Sequence, residues 1–151
     1  MAHRVPFVDP ITHYARLKTE IDGAIVACLA EGDLVYRRQL REFEERFASY
    51  IGVRHAVGVS SGYHALHLSL LASGIGPGDE VITVAHTFVA TLSAIVHCGA
   101  TPVMVDVGPD YNMDPSLVEQ AVTSRTRAVL PVHLNGRICD MGRLMSLADR
   151  R

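Results

Sequence analysis

Apolar residues recur at helical spacing along the first fifty positions. Over 12–31, Leu17, Ile21, Ile25 and Cys28/Leu29 fall on one side of a predicted helix. The stretch EGDLVYRRQ, 31–39, breaks that period. In a second helix Leu40, Phe43, Phe47 and Tyr50/Ile51 line one side, Glu42 and Arg46 are spaced to pair at i,i+4 on the other, and Gly52 ends the run. Beyond it the pattern changes. HAVGV (55–59), VITV (81–84), TPVMVDV (101–107) and RAVLPVHL (127–134) read as strands. Helical patterns separate them: 63–73 with Gly74 past its end, 87–98 closed by Gly99, and a helix from the Asp114-Pro115 cap to about Val122. Asp140 caps a last helix.

Strand and helix alternating four times calls for crossover connections. The expected fold class is therefore α/β, a mostly parallel sheet with helices on both faces. The expected organisation is an N-terminal helical segment, 1–52, followed by an α/β region, 53–151, with no linker or repeat after residue 52. The final helix, MGRLMSLADRR, is followed by no strand, so the sequence reads as the first part of a longer domain. Such a sheet would leave an unpaired apolar edge.

Composition narrows the class. A chain of 151 residues, 48% apolar and 20% charged, reads as globular, and its apolar runs are too short to span a membrane. MAHRVPFVDP has no apolar core of a signal peptide. A net charge of -2 offers no electrostatic case for nucleic acid or anionic membrane. Three widely spaced cysteines without a Cys-x-x-Cys suit reduced thiols in the cytoplasm. Lys18 is the single lysine.

In an open parallel sheet, ligands collect beyond the C-terminal ends of the strands. Three segments are expected there: Ser60-Ser61-Gly62, Ala85-His86-Thr87-Phe88 and His133-Leu134-Asn135-Gly136. In GVSSGYHALHLSLL the turn opens a helix, whose free N–H groups and dipole suit an anion such as phosphate. Dinucleotide, Walker A and nucleophile-elbow motifs are absent. His64, His86 and His133 could be imagined as metal ligands, but no Glu-x-x-His accompanies them, so no metal is expected. His67 reads as a packed or solvent-facing histidine. Phe88 reads either as core or as a ring that stacks on a ligand.

SSGYHALHLSLLASGIGPGDEVITVAHTFVATLSAIVHCGATPVMVDV, followed by RTRAVLPVHLNGRICDM, resembles the DegT/StrS family of sugar aminotransferases, which depend on pyridoxal 5′-phosphate (PLP). The resemblance runs from VPFVDP to the last residue. It implies the first part of the large domain of a fold-type I, aspartate-aminotransferase-like enzyme. The backbone N–H groups of Ser61, Gly62, Tyr63 and His64 would cradle the cofactor phosphate, and Phe88 would stack on its ring. Tyr63 and His64 stand where most members have smaller residues. EGDLVYRRQ corresponds to a loop near a homodimer interface. The implied reaction moves an amino group from a donor such as glutamate to a keto group on a nucleotide-linked sugar. No catalytic residue is assigned, because the family's lysine and aspartate correspond to positions beyond Arg151; on that reading the chain alone is inactive. Two other outcomes stay open: a PLP-dependent sugar dehydratase of the same family, and a non-catalytic α/β binding module.

Overall fold

The computed structural model describes residues 6–32 and 35–150. Residues 1–5, part of the stretch read as lacking a signal peptide, Asp33–Leu34 of the period-breaking stretch, and Arg151 lie outside them. The chain divides into two compact units, one ending at Gly58 and one beginning at Val59.

The first unit holds α1 (Pro10–Ala30) and α2 (Arg38–Ile51). Asp9 caps α1 by accepting the Thr12 N–H at 3.0 Å, with Pro10 in the first turn where its missing N–H costs nothing. The apolar face expected of α1 is present but buries no side chain. In α2 the covered face differs from the expected one. Glu44 and Ala48 are buried, whereas Phe43, Phe47 and Tyr50 are exposed, because Gly58 closes on Leu40 and Glu44. Glu42 pairs with Arg38 at 2.6 Å rather than with Arg46, in a network that also joins Arg38 to Glu31. Gly52 ends α2 in the left-handed conformation at φ 79°, which only a residue without a Cβ adopts freely.

HAVGV is not a strand. A strand needs a neighbour to take its backbone groups, and among the described residues none pairs with 55–59; Val57 is 77% exposed. Among the described residues the alternation is therefore a three-strand one.

The second unit comprises α3 (Gly62–Ala72), β1 (Glu80–Val84), α4 (Val89–His97), β2 (Thr101–Val105), α5 (Pro115–Ala121), β3 (Thr126–Val129), a 3-10 turn (Leu134–Gly136) and α6 (Met141–Asp149). The sheet is parallel in the order β2-β1-β3. The chain steps one way from β1 to β2 through α4, then back past β1 to β3 through α5. With right-handed crossovers that reversal sends the two helices to opposite faces, and the packing agrees. Val81 joins α3 and α4 in a core with Leu70, Ile75, Ala94, Ile95 and Cys98. Ile82 and Val84 join α5 and α6 in a second core with Met113, Val118, Cys139 and Leu144. The period-2 alternation of a strand feeds both layers, so all five residues of β1 are buried.

The strand ends are shorter than the sequence suggests. β2 stops at Val105, after which Val107 bridges Met113 in the antiparallel sense. β3 stops at Val129, although the Leu130 N–H still donates to Ile82 at 2.8 Å. Opposite Glu80 the register shifts, leaving Arg127 between the residues paired with Glu80 and Val81. Glu80 itself is buried, accepting from Thr123 and from Arg125 Nε at 3.0 Å. The Thr123 hydroxyl foremost, helped by Arg125, holds its carboxyl below the usual value despite burial.

Candidate functional site

Ser61 is the N-cap of α3, its Oγ accepting the His64 N–H at 3.2 Å. Ser60 Oγ and Ser61 Oγ lie 2.8 and 3.2 Å from His64 Nδ1, so the imidazole folds back over the turn. Gly62 and Tyr63 are the first helical residues, whose N–H groups have no acceptor within the helix. A Cβ built on Gly62 would meet nothing within 4 Å, so the backbone there is open to close approach.

The Tyr63 side chain is engaged elsewhere. Its hydroxyl is 2.6 Å from His97 Nδ1, and its ring stacks on His67 at 5.6 Å. The main-chain N–H, rather than the phenol, is therefore the group left open here. His67 is packed, in keeping with its sequence reading.

Phe88 is the N-cap of α4, not its second residue, and the helix starts at Val89. The Thr91 N–H donates to Phe88 at 3.0 Å, and the Thr87 and Thr91 hydroxyls meet at 2.8 Å, which ties down the turn leaving β1. At 76% exposure Phe88 is not core. Among the described residues no ring contact or hydrogen bond joins Phe88 to residues 60–64.

The segments after all three strands converge on one cleft of about 390 Å³, lined by His86, Asp110, Tyr111, Leu134, Asn135 and Arg137. His86 meets Tyr111 edge to face at 6.3 Å, and Arg137 Nη1 donates to the Asp110 carbonyl at 3.4 Å. Tyr111 and Asn135 hold φ of 65° and 51°, left-handed values that non-glycine residues adopt at a cost. Tyr111 and Arg137 were not picked out from the sequence. The signal available was GPDYN, a turn-rich run that begins shortly after β2.

His64, His86 and His133 do not form a group. His133 Nδ1 accepts the Cys139 N–H at 3.2 Å, His86 faces Tyr111, and His64 faces the serines. Among the described residues no three His, Cys, Asp or Glu side chains are placed to hold a metal. Nor, among them, is any helix long and apolar enough to cross a membrane.

The sequence model of the DegT/DnrJ/EryC1/StrS aminotransferase family matches residues 15–151. The chain belongs to that family. As a family member it is 50% identical over 148 residues to the dTDP-3-amino-3,4,6-trideoxy-alpha-D-glucose transaminase of Streptomyces venezuelae, covering 97% of this chain and 39% of that protein. It is 49% identical over 114 residues to the GDP-perosamine synthase of Caulobacter vibrioides, covering 75% of this chain and 31% of that one. The crystal structure of S. venezuelae DesV in complex with a ketimine intermediate superposes with a TM-score of 0.95 at 49% identity, over 99% of this chain and 40% of DesV. A DegT/DnrJ/EryC1/StrS aminotransferase from Brucella abortus gives 0.92 at 34% identity, over 97% of this chain and 42% of that one. These likenesses give the fold-type I aminotransferase architecture. The chain spans about 40% of the length of these full-coverage relatives.

Proposed function

We propose that the chain is part of a PLP-dependent aminotransferase that transfers an amino group from an amino acid such as glutamate to a nucleotide-linked ketosugar. The observation that carries this reading is 50% identity across 97% of the chain to a dTDP-sugar transaminase. On this reading residues 1–52 are an N-terminal helical segment and 53–151 the first part of the PLP-binding domain. The working protein is a homodimer in the cytoplasm, which suits its unpaired cysteines.

The residues present fit a phosphorylated pyridine. The turn Ser61, Gly62, Tyr63 and His64 would hold the phosphate, with main-chain N–H groups at the positive end of α3 and an unobstructed glycine. Exposed Phe88 offers a ring face at the strand-end edge. When bound, the cofactor supplies an electron sink for cleaving a bond at the donor's α-carbon. The chain's own share is binding and orientation. Lys18, its single lysine, is held on α1 by Asp22 and Tyr14, and no proton transfer is assigned to it.

Pyridoxamine 5′-phosphate is a suitable probe, since it has the phosphate and ring but no aldehyde for Lys18 to capture. Binding followed by fluorescence should be competed by inorganic phosphate and weakened about tenfold by Phe88→Ala, as expected for a lost stacking contact. Absence of binding, or binding indifferent to both changes, overturns the reading.

A further inference from the structure

Tyr63 carries two separate groups on one Cα. Its N–H is among those left open at the start of α3, while its side chain reaches the end of α4. The phenol oxygen is 2.6 Å from His97 Nδ1, so with the ring proton on Nε2 the hydroxyl donates and His97 accepts. The phenol ring stacks on His67 at 5.6 Å and meets the His97 ring edge to face at 5.8 Å. Cys98 adds a second tie, its Sγ 3.7 Å from the His67 carbonyl.

The two helices so joined are unequal. α4 buries Thr91, Ala94 and Ile95, with Cys98 buried just past its end. α3 buries Leu70, near its far end, and no side chain of its first turn is buried. The first turn of a helix lacks part of its backbone bonding and frays readily. It is held here by the Ser61 cap and by Tyr63. A side chain fixed on a firmer neighbour restricts its own backbone, and with it the direction of its N–H.

We propose that Tyr63 is a positioning residue for the phosphate-binding turn, acting through His97 on α4. The proposal rests on the reading of that turn as a phosphate cup. The phenol itself touches neither cofactor nor substrate; it removes freedom from the start of α3, so that less ordering remains to be done on binding.

The test is a double-mutant cycle of Tyr63→Phe and His97→Leu in the full chain. Its readouts are affinity for pyridoxamine 5′-phosphate, affinity for inorganic phosphate, and amide exchange at His64 and Ala65, whose N–H groups both donate to Ser61. Phenylalanine keeps the ring packing and removes only the hydroxyl. Each single variant should weaken both ligands about fivefold, the effect of one hydrogen bond, and speed exchange at His64 and Ala65 by a similar factor. Exchange at Leu70 should not change, and the double variant should lose no more than either single one. A merely structural role would leave the affinities unchanged or speed exchange at Leu70 equally, and either result overturns the proposal. Additive losses in the double variant overturn it too, since the phenol would then act without His97. If His97→Leu loosens α4, Tyr63→Phe alone decides, with Leu70 as its control. A wild type that binds neither ligand overturns the cofactor reading instead, and the exchange cycle then still decides the positioning role.

Discussion

Helices α1 and α4 were both legible in the sequence, yet they are held by different means. The 21 residues of α1 bury no side chain, while the nine residues of α4 bury Thr91, Ala94 and Ile95. α1 relies on local chemistry: the Asp9 cap, Pro10 in the first turn, and Lys18 placed one turn before Asp22. α4 has Phe88 as its N-cap without a side-chain cap bond, and its order comes from packing on β1. Exposed helices depend on caps and ion pairs worth tenths of a kcal/mol to about 1 kcal/mol each, whereas a core contact is worth several times that.

The contrast can be broken most sharply in the core. Ile82→Ala, at a fully buried position in β1, should cost about 2–5 kcal/mol in urea unfolding. Ile25→Ala on α1, 52% exposed, should stay within about 0.5 kcal/mol of the wild type.

Glu80 offers a test through pH. Its native pKa lies below the ordinary 4.5, chiefly because of the Thr123 hydroxyl, so the unfolded chain binds the proton more readily. Its contribution is complete above 4.5 and is lost as pH falls through the lower native value. Glu80→Gln should therefore lower the urea midpoint at neutral pH, with the gap to wild type closing in acid. A gap that stays constant with pH would remove Glu80 as the cause.

Two caps sharpen the comparison at its small end. Asp114 Oδ1 accepts the Ser116 N–H at 2.8 Å at the start of α5, which packs into the second core. Asp114→Ala should cost about 1 kcal/mol of global stability. Asp9→Ala should reduce the helical circular dichroism contributed by α1 while leaving the unfolding midpoint of the α/β unit in place.

The elements of the α/β unit were legible because β-branched runs and glycine-ended helices have local signatures. Gly74 and Gly99 do sit past α3 and α4 at φ 75° and 82°, and Asp114 and Asp140 do cap. HAVGV failed because strand propensity is local and pairing is not. The burial of Glu44 on α2 was not legible for a related reason: it depends on Gly58, which no helical period can show. At the candidate site the residue types and the helix start were readable. The engagement of Tyr63 with His97, and the cleft built from residues after β1, β2 and β3, depend on tertiary placement.

The central position of β1 also implies an order of assembly. Glu80 meets Thr101 across 21 residues but Thr126 across 46. Closing the longer loop costs about 0.6 kcal/mol more, since the cost rises by that amount for each doubling. The β1-α4-β2 unit is therefore the favoured nucleus, and β3 docks onto an edge that already exists. Slowing substitutions should concentrate at Val81 and Ala100, whereas changes at Val129 should act mainly on unfolding.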